Sequence, residues 1–429
     1  MFARLRTRTD PYRLYLFGLE FGVSFVVGMI NTTSALYWYS KGHLNPLQLV
    51  LLGTMLELAY FVFQLPTGAI ADLLSRRACV IAGTFAYAAG MIEQGLSPVF
   101  VNLLAAQILV GLGAALTYGA QQSWIADEMA DVDMTTVYVR ATQLGILGGI
   151  GGSAVSGVVA LAGLQMPMLI GGSLMAVGGL VLVAVMPENN FRGARDEDTH
   201  VLRGAWASFR EQAAATRTAV VAVPALVLLF GVTFFMGMWS ESFDRLWGPF
   251  FIHSIPFPHL FGGHKSIWFS VIAVTVALLS LGSTELAKRR TDRLGPASIA
   301  TTLLAITVVT GVGVVIMAGA HLFVVAAGAY LLIEVVRPIF DPLVSGWMVG
   351  RIRPGLRATA FSAKDMCDAG GQMIGGPIVG VIGLLRSFRA ALYAGAIALA
   401  PAIAFLALAT KRIHALPVGE REEPVAING

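Results

Sequence analysis

Long apolar runs, each ended by a few polar or charged residues, fill the chain from one end to the other. A helix needs about 20 mostly apolar residues, at 1.5 Å rise each, to cross a bilayer. Runs of that length lie at 14–38, 47–70, 78–96, 99–125, 138–162 and 166–186. After a polar stretch they resume at 221–247, 266–287, 297–318, 321–348, 358–384 and 388–410. This pattern predicts an all-α, polytopic membrane protein of twelve transmembrane helices. The polar stretch divides it into a six-helix half at 1–186, a linker at 187–219 and a second six-helix half with a short tail at 220–429.

Composition strengthens the class. Of the 429 residues, 56% are hydrophobic and 13% charged, and the mean hydropathy is +0.74. A soluble chain carries about 25% charged residues, so lipid must solvate this one. The 48 glycines suit helices that approach closely in a bilayer. Cys79 follows a basic loop and Cys367 lies within an apolar run, which leaves no disulfide framework.

A formal charge of +4 and a pI near 9.1 raise the question of nucleic acid. The basic residues fall in short runs between apolar stretches, without a patch interleaved with aromatics, and exclude that partner. They orient the chain instead. With the N-terminus inside, 22 Lys and Arg lie on the cytoplasmic side and four (Lys41, Lys265, Arg386, Arg389) opposite, with three within spans. That bias predicts a multi-pass protein of the cell inner (plasma) membrane with both termini cytoplasmic. The first apolar run is span-length and lacks a small-residue cleavage site, so it reads as a retained helix.

Within the linker, Leu202, Ala205, Trp206 and Phe209 share one helical face, with Arg203, Arg210 and Arg217 elsewhere. This fits a helix lying on the anionic inner leaflet; a solvated tether is the alternative. A faint repeat matches the division. Arg140-Ala141-Thr142 opens the fifth span and Arg357-Ala358-Thr359 the eleventh. Gly148, Gly149, Gly151, Gly152 and Gly157 follow the first, and Gly370, Gly371, Gly375, Gly376 and Gly380 the second.

Enzyme patterns are missing: there is no G-x-x-x-x-G-K-[ST], H-E-x-x-H or G-x-S-x-G. The reading is therefore not an enzyme, with no cofactor and no metal site, and any uphill movement is driven by an ion gradient or another subunit. His253, His259 and His264 share one outward loop and read as a wet interface rather than metal ligands.

The most specific motif is Gly68-Ala69-Ile70-Ala71-Asp72-Leu73-Leu74-Ser75-Arg76-Arg77. Gly68 permits close helix contact, Asp72 can face a helix N-terminus or an arginine, and Arg76 and Arg77 can bind carboxylates. Asp127, Glu128, Asp131 and Asp133 stand in the next loop on the same side. The run resembles the signature loop of the major facilitator superfamily, G-x-L-A-D-R-x-G-R-R, with Leu73 and Ser75 departing from it. The resemblance implies a cytoplasmic latch between the halves, formed by Gly68, Asp72, Arg76, Arg77 and Asp127. It extends through Gln64-Leu65-Pro66-Thr67-Gly68, 123–128, Met186-Pro187-Glu188 and 240–247, which look like a bacterial branch associated with tetracycline or macrolide efflux. What it implies is an antiporter that works as a monomer by alternating access, exporting a small amphipathic, drug-like molecule and conferring antibiotic resistance. Two departures weaken transfer of that branch's proton coupling. Gln107 stands where drug antiporters often carry an arginine before Gly111 and Gly113, and the fifth span has 148–152 without proline. Pro377 is the nearest counterpart.

Charges within spans cost about 2.5–3.5 kcal/mol each and are functional candidates. The acids are Glu20, Glu57, Glu241, Asp244, Glu334, Asp341, Asp365 and Asp368; the bases are Arg245, Arg337 and Lys364. More acids than bases points to protons as the coupling ion, because a carboxylate moving between wet and dry surroundings exchanges one. Glu57, about 15 Å into its span, leads; Asp368, Glu334 and Glu20 follow. Lys364 is placed to pair with Asp368, Arg337 with Glu334, and Arg245 with Glu241. In the fold implied, the first, fourth, seventh and tenth spans line a central cavity. Asn31, Gln107, Tyr118, Gln121, Trp239, Glu241, Arg245 and Arg337 are its expected substrate contacts. Tyr37, Trp38 and Trp247 lie near span ends and suit an interfacial aromatic belt. Pro338 and Pro342 are expected to kink the tenth span. Partners are then a small-molecule substrate, protons and the lipid bilayer. The rivals are an importer or facilitator of a nutrient, and a non-transporting receptor or assembly subunit.

Overall fold

The computed structural model describes residues 9–129, 132–191, 224–291, 296–349, 352 and 357–415. All regular structure among them is helical. The helices are α1 (Pro11–Ser40), α2 (Pro46–Leu73), α3 (Arg76–Leu96), α4 (Phe100–Glu128), α5 (Met134–Ala162) and α6 (Met166–Val185). After the linker come α7 (Pro224–Ser254), α8 (Lys265–Thr291), α9 (Pro296–Gly319), α10 (Phe323–Val349), α11 (Arg357–Leu385) and α12 (Phe388–Lys411). Each coincides with one predicted run, and among the described residues 11 are apolar and long enough to cross a membrane. The other is α3, where Thr84, Tyr87, Glu93 and Gln94 dilute the apolar character. Asp131 and the linker face of Leu202, Ala205, Trp206 and Phe209 lie outside the described residues.

Two compact units result. One comprises Met1–Leu44, Met55–Trp206 and His259–Val274; the other Asn45–Thr54, Ala207–Pro258 and Thr275–Gly429. Each is organised around a glycine-mediated helix pair. In the first unit, a β-carbon at Gly148 or Gly152 of α5 would overlap the Phe21 or Phe25 carbonyl of α1. In the second, one at Gly371 or Gly375 of α11 would overlap the Phe234 carbonyl or Met238 of α7. Lipid tails are as apolar as leucine, so helices in a bilayer associate through such close backbone approach and through hydrogen bonds. The α1–α5 seam supplies the latter: Thr32 donates to Ser153 (3.0 Å), Thr33 and Ser156 share a bond of 3.1 Å, and Ser156 donates to the Met29 carbonyl (2.6 Å).

Local chemistry sets the ends. Asn45 and Gln48 exchange bonds of 3.1 and 2.9 Å at the start of α2, a reciprocal capping box. Asp133 caps α5, accepting from the Thr136 hydroxyl (2.8 Å) and the Thr135 N–H (3.1 Å). Those bonds, the hydroxyl's foremost, hold its carboxyl below the ordinary aspartate value. A depressed value means the cap stabilises above the unfolded pKa of about 3.9 and is lost as pH falls through the folded one. Asp133→Ala is expected to lower the thermal midpoint at neutral pH, with the difference shrinking below about pH 4. A midpoint gap unchanged down to strong acid would contradict the cap.

Candidate functional site

The second unit concentrates charge on α7 and α10. Helical spacing puts Glu241 one turn before Arg245, and the predicted pair forms at 3.0 Å with Glu241 only 4% exposed. Pro338 breaks α10, as expected, with a 3-10 turn at Arg337–Ile339. Arg337 stands at that break, and its planar fork grips Asp244 with bonds of 2.5 and 2.7 Å. Glu334, its predicted partner, lies at 3.6 Å and is secondary. The guanidinium also covers the Trp239 ring at 5.3 Å, a cation–π contact. On this face α7 and α10 therefore hold three carboxylates (Glu241, Asp244, Glu334) against two guanidinium groups.

Aromatic faces adjoin the charges. Trp247 stacks on Tyr330 with centroids 4.2 Å apart, and Phe243 stacks on the same ring at 5.9 Å. Trp247, expected in an interfacial belt, is partly buried and stacks on α10 through Tyr330. Tyr37 and Trp38 depart from that expectation: both are buried, and the Tyr37 hydroxyl donates to the Gly95 carbonyl at 3.4 Å. Trp239 is fully buried, with its Cδ1 edge toward Gly395, and its indole N–H finds no acceptor among the described residues. Its face serves Arg337, while its polar edge points into helix contact.

On α11 the expected Lys364–Asp368 pair does not form. Lys364 reaches Asp341 (2.6 Å) and Asp365 (3.2 Å). The side chain of Asp368 accepts from the Gln372 amide at 2.7 Å and lies against Gly237 of α7. A lysine one turn away was captured by the better geometry of an acid 23 residues distant.

In the first unit, Glu20 sits in a nine-residue π-helical stretch of α1, Leu14–Gly22. Such widened turns are frequent at functional sites. Glu20 accepts from the Gln121 amide at 2.9 Å and faces α5 at Gly145, where Ser24 adjoins it. Gln121 belongs to the terminal part of α4, which is interrupted between Thr117 and Ala120. Tyr118 lies at that interruption, 64% exposed and edge-on to Tyr60 at 6.4 Å. Asn31 is exposed on α1, Gln107 is buried in α4 and Glu57 is partly buried on α2.

The signature loop joins α2 to α3. Arg76 pairs with Asp127 at short range, donates to the Ser123 carbonyl (3.0 Å) and reaches Asp72 at 3.3 Å. Gly68 does not match its expectation: a β-carbon there would meet nothing within 4 Å among the described residues, so it makes no close helix contact with them. Nor do the neighbouring acids all serve the arginines. Glu128 instead accepts from the Asn189 and Asn190 N–H groups (2.6 and 3.0 Å), and Asp133 caps α5. No cluster of three or more His, Cys, Asp or Glu suited to a metal occurs among the described residues.

Three residues went unassigned from sequence. Asp244 was one acid among eight, its partner 93 residues away. Tyr330 carried no signal beyond being an aromatic within an apolar run, and Glu188 none beyond its place in the Met186-Pro187-Glu188 segment of the resemblance.

Span-length helices that carry charged groups with aromatic rings beside them define a polytopic membrane protein. The sequence matches the Major Facilitator Superfamily over residues 16–367, and the chain belongs to that family. Solved structures of the same fold include the nucleoside transporter NupG, at 16% identity, covering 92% of this chain and 98% of that one, with a TM-score of 0.72. A bacterial homologue of the human lysosomal transporter Spinster, inward-facing and occupied, is 14% identical, covers 97% and 100%, and scores 0.72. A POT family transporter in complex with a thioalcohol-conjugated peptide is 14% identical, covers 92% and 96%, and scores 0.69. At these identities the likeness is one of fold. No curated protein matches the sequence.

Proposed function

We propose that this transporter is a secondary active, proton-coupled exporter of a small amphipathic compound, working as a monomer by alternating access of two halves, 1–186 and 220–429. It lies in the inner (plasma) membrane with both termini cytoplasmic, oriented by the 22-to-4 lysine and arginine bias. The observation that carries the substrate class is the excess carboxylate on α7 and α10 beside the stacked Trp247 and Tyr330. Carboxylates that outnumber the guanidinium groups next to aromatic faces suit a cationic group on an apolar body. Drug-like amphiphiles and antibiotics fall in that class, in keeping with the efflux branch that the 64–68 and 240–247 segments resemble.

Glu20, Asp368, Glu334 and Glu57 remain the proton carriers of this scheme, with their order changed. Glu20 and Asp368 lead, because the side chains that bond them are neutral: the Gln121 amide and the Tyr15 hydroxyl for Glu20, and the Gln372 amide for Asp368. Glu334 follows them, because it shares Arg337 with Asp244, which holds the closer contacts. Asp72, Arg76, Arg77 and Asp127 form the cytoplasmic latch.

Proteoliposomes with an imposed pH gradient and a panel of amphipathic cations test the reading. Glu20→Gln and Asp368→Asn are each expected to reduce gradient-driven flux by about 10²-fold or more, the scale of a lost proton-transfer group, while substrate exchange without a gradient persists. Full gradient-driven flux in the double variant would remove both groups from the mechanism. Accumulation toward the cytoplasmic face would favour the importer instead.

A further inference from the structure

The segment that leaves α6, 186–191, carries the chain into the linker. It lies under the signature loop and the end of α4, inside the first unit. Glu188 accepts from the Ser75 hydroxyl (2.7 Å) and the Arg77 backbone N–H (2.9 Å). Arg77 answers with its side chain, donating to the Met186 and Val183 carbonyls at 2.7 Å each. Trp124 donates to the Pro187 carbonyl (2.7 Å), and the Phe191 ring lies under the Arg76 guanidinium at 5.7 Å.

Helix electrostatics explains why so many bonds converge here. The first two residues of α3 are Arg76 and Arg77, and its first turn holds no acid. Two cations at the positive end of a helix dipole are misplaced, and the first N–H groups there need acceptors. Ser75 supplies one, to the Ala78 N–H at 2.9 Å. Glu188 supplies the other together with the missing negative charge. In exchange, Arg77 covers the carbonyls that α6 leaves open at its negative end. The start of α3 and the end of α6 thus cap each other.

We propose that Glu188 is a positioning residue for the latch. It holds 186–191 docked as a strap, and the docked strap fixes where Arg76 presents its charge to Asp127. The latch role rests on the transport reading given above, whereas the docking itself does not, so the test uses no substrate. Cys79 reports on the strap: it is buried one turn into α3 in an apolar cluster with Met186 and Trp124.

The experiment measures alkylation of Cys79 by N-ethylmaleimide in the full chain in lipid vesicles, with Cys367→Ser removing the other thiol. Glu188→Ala and the charge-only variant Glu188→Gln are each expected to speed the reaction by at least about tenfold, the value of one hydrogen bond to a charged group. Glu188→Asp is expected to restore protection near the parent rate. Should Glu188→Ala fail to fold, Glu188→Gln and Ser75→Ala carry the test. Parent-rate alkylation in Glu188→Gln overturns the electrostatic docking. Thermal midpoints of Glu188→Gln, Asp127→Asn and the double variant test the link from strap to latch: losses that simply add overturn it, because a strap that positions Arg76 must couple to the Arg76–Asp127 pair. Either result leaves the proton-flux experiment untouched, and a failure of that experiment leaves the strap standing.

Discussion

Arg337→Ala is expected to cost about 3 kcal/mol of stability, the low end for breaking a buried ion pair, because Asp244 is 42% exposed and water softens its loss. The variant leaves Asp244 and Glu334 as two carboxylates with no shared cation, and strips the guanidinium from the Trp239 face. Removing one carboxylate as well should recover part of the loss. The double variant Arg337→Ala with Asp244→Ala is expected to be more stable than the sum of the single changes allows. Arg337→Lys should not rescue, since an ammonium cannot match the 2.5 and 2.7 Å fork. Thermal midpoints of the parent, the two single alanine variants, the double variant and the lysine variant in one detergent decide it. Additive effects, or a lysine variant as stable as the parent, would show that the fork does not hold α10 to α7.

The glycine pairs carry the other large effect. Valine at Gly152 or Gly371 places a branched side chain where the Phe25 or Phe234 carbonyl already lies. Backbone cannot move aside as a flexible side chain does, so each change must part α1 from α5 or α7 from α11 along much of their length. The expected cost exceeds about 3 kcal/mol, beyond ordinary overpacking, and should appear as loss of the monodisperse peak in size-exclusion chromatography. Gly68→Ala and Gly178→Ala are the controls, since a β-carbon at either meets nothing within 4 Å among the described residues. Each is expected to be neutral or to stabilise by up to about 1 kcal/mol, the helix-propensity gain over glycine. A valine at Gly371 that elutes like the parent would mean that α7 and α11 do not depend on backbone contact there.

Periodicity and length were enough for the helices because each span satisfies its own backbone hydrogen bonds locally, and lipid permits little else. All twelve helices could be placed from runs of apolar residues, and the break in α10 from Pro338. Short-range pairing was legible for the same reason: Glu241 and Arg245 are neighbours on one helix at four residues' spacing. The Arg76–Asp127 contact was legible in another way, through a motif that brings a known loop with it.

Where two partners compete, spacing alone misleads. Lys364 has Asp368 one turn away and still chooses Asp341, and Arg337 prefers Asp244 over Glu334 at three residues' distance. A charged group takes the acceptor whose geometry and desolvation are best, and both depend on how the helices are laid side by side. The same reasoning separates glycines of identical appearance in sequence, since Gly68 faces open space among the described residues and Gly152 a carbonyl. The chain by itself determined that this protein is a membrane helical bundle, where its spans fall and which charges lie within them, because those follow from one-dimensional solvation by lipid. Only the tertiary structure decided which carboxylate meets a guanidinium, which meets an amide and which caps a distant helix, because those partners are set by contacts between residues far apart in the sequence.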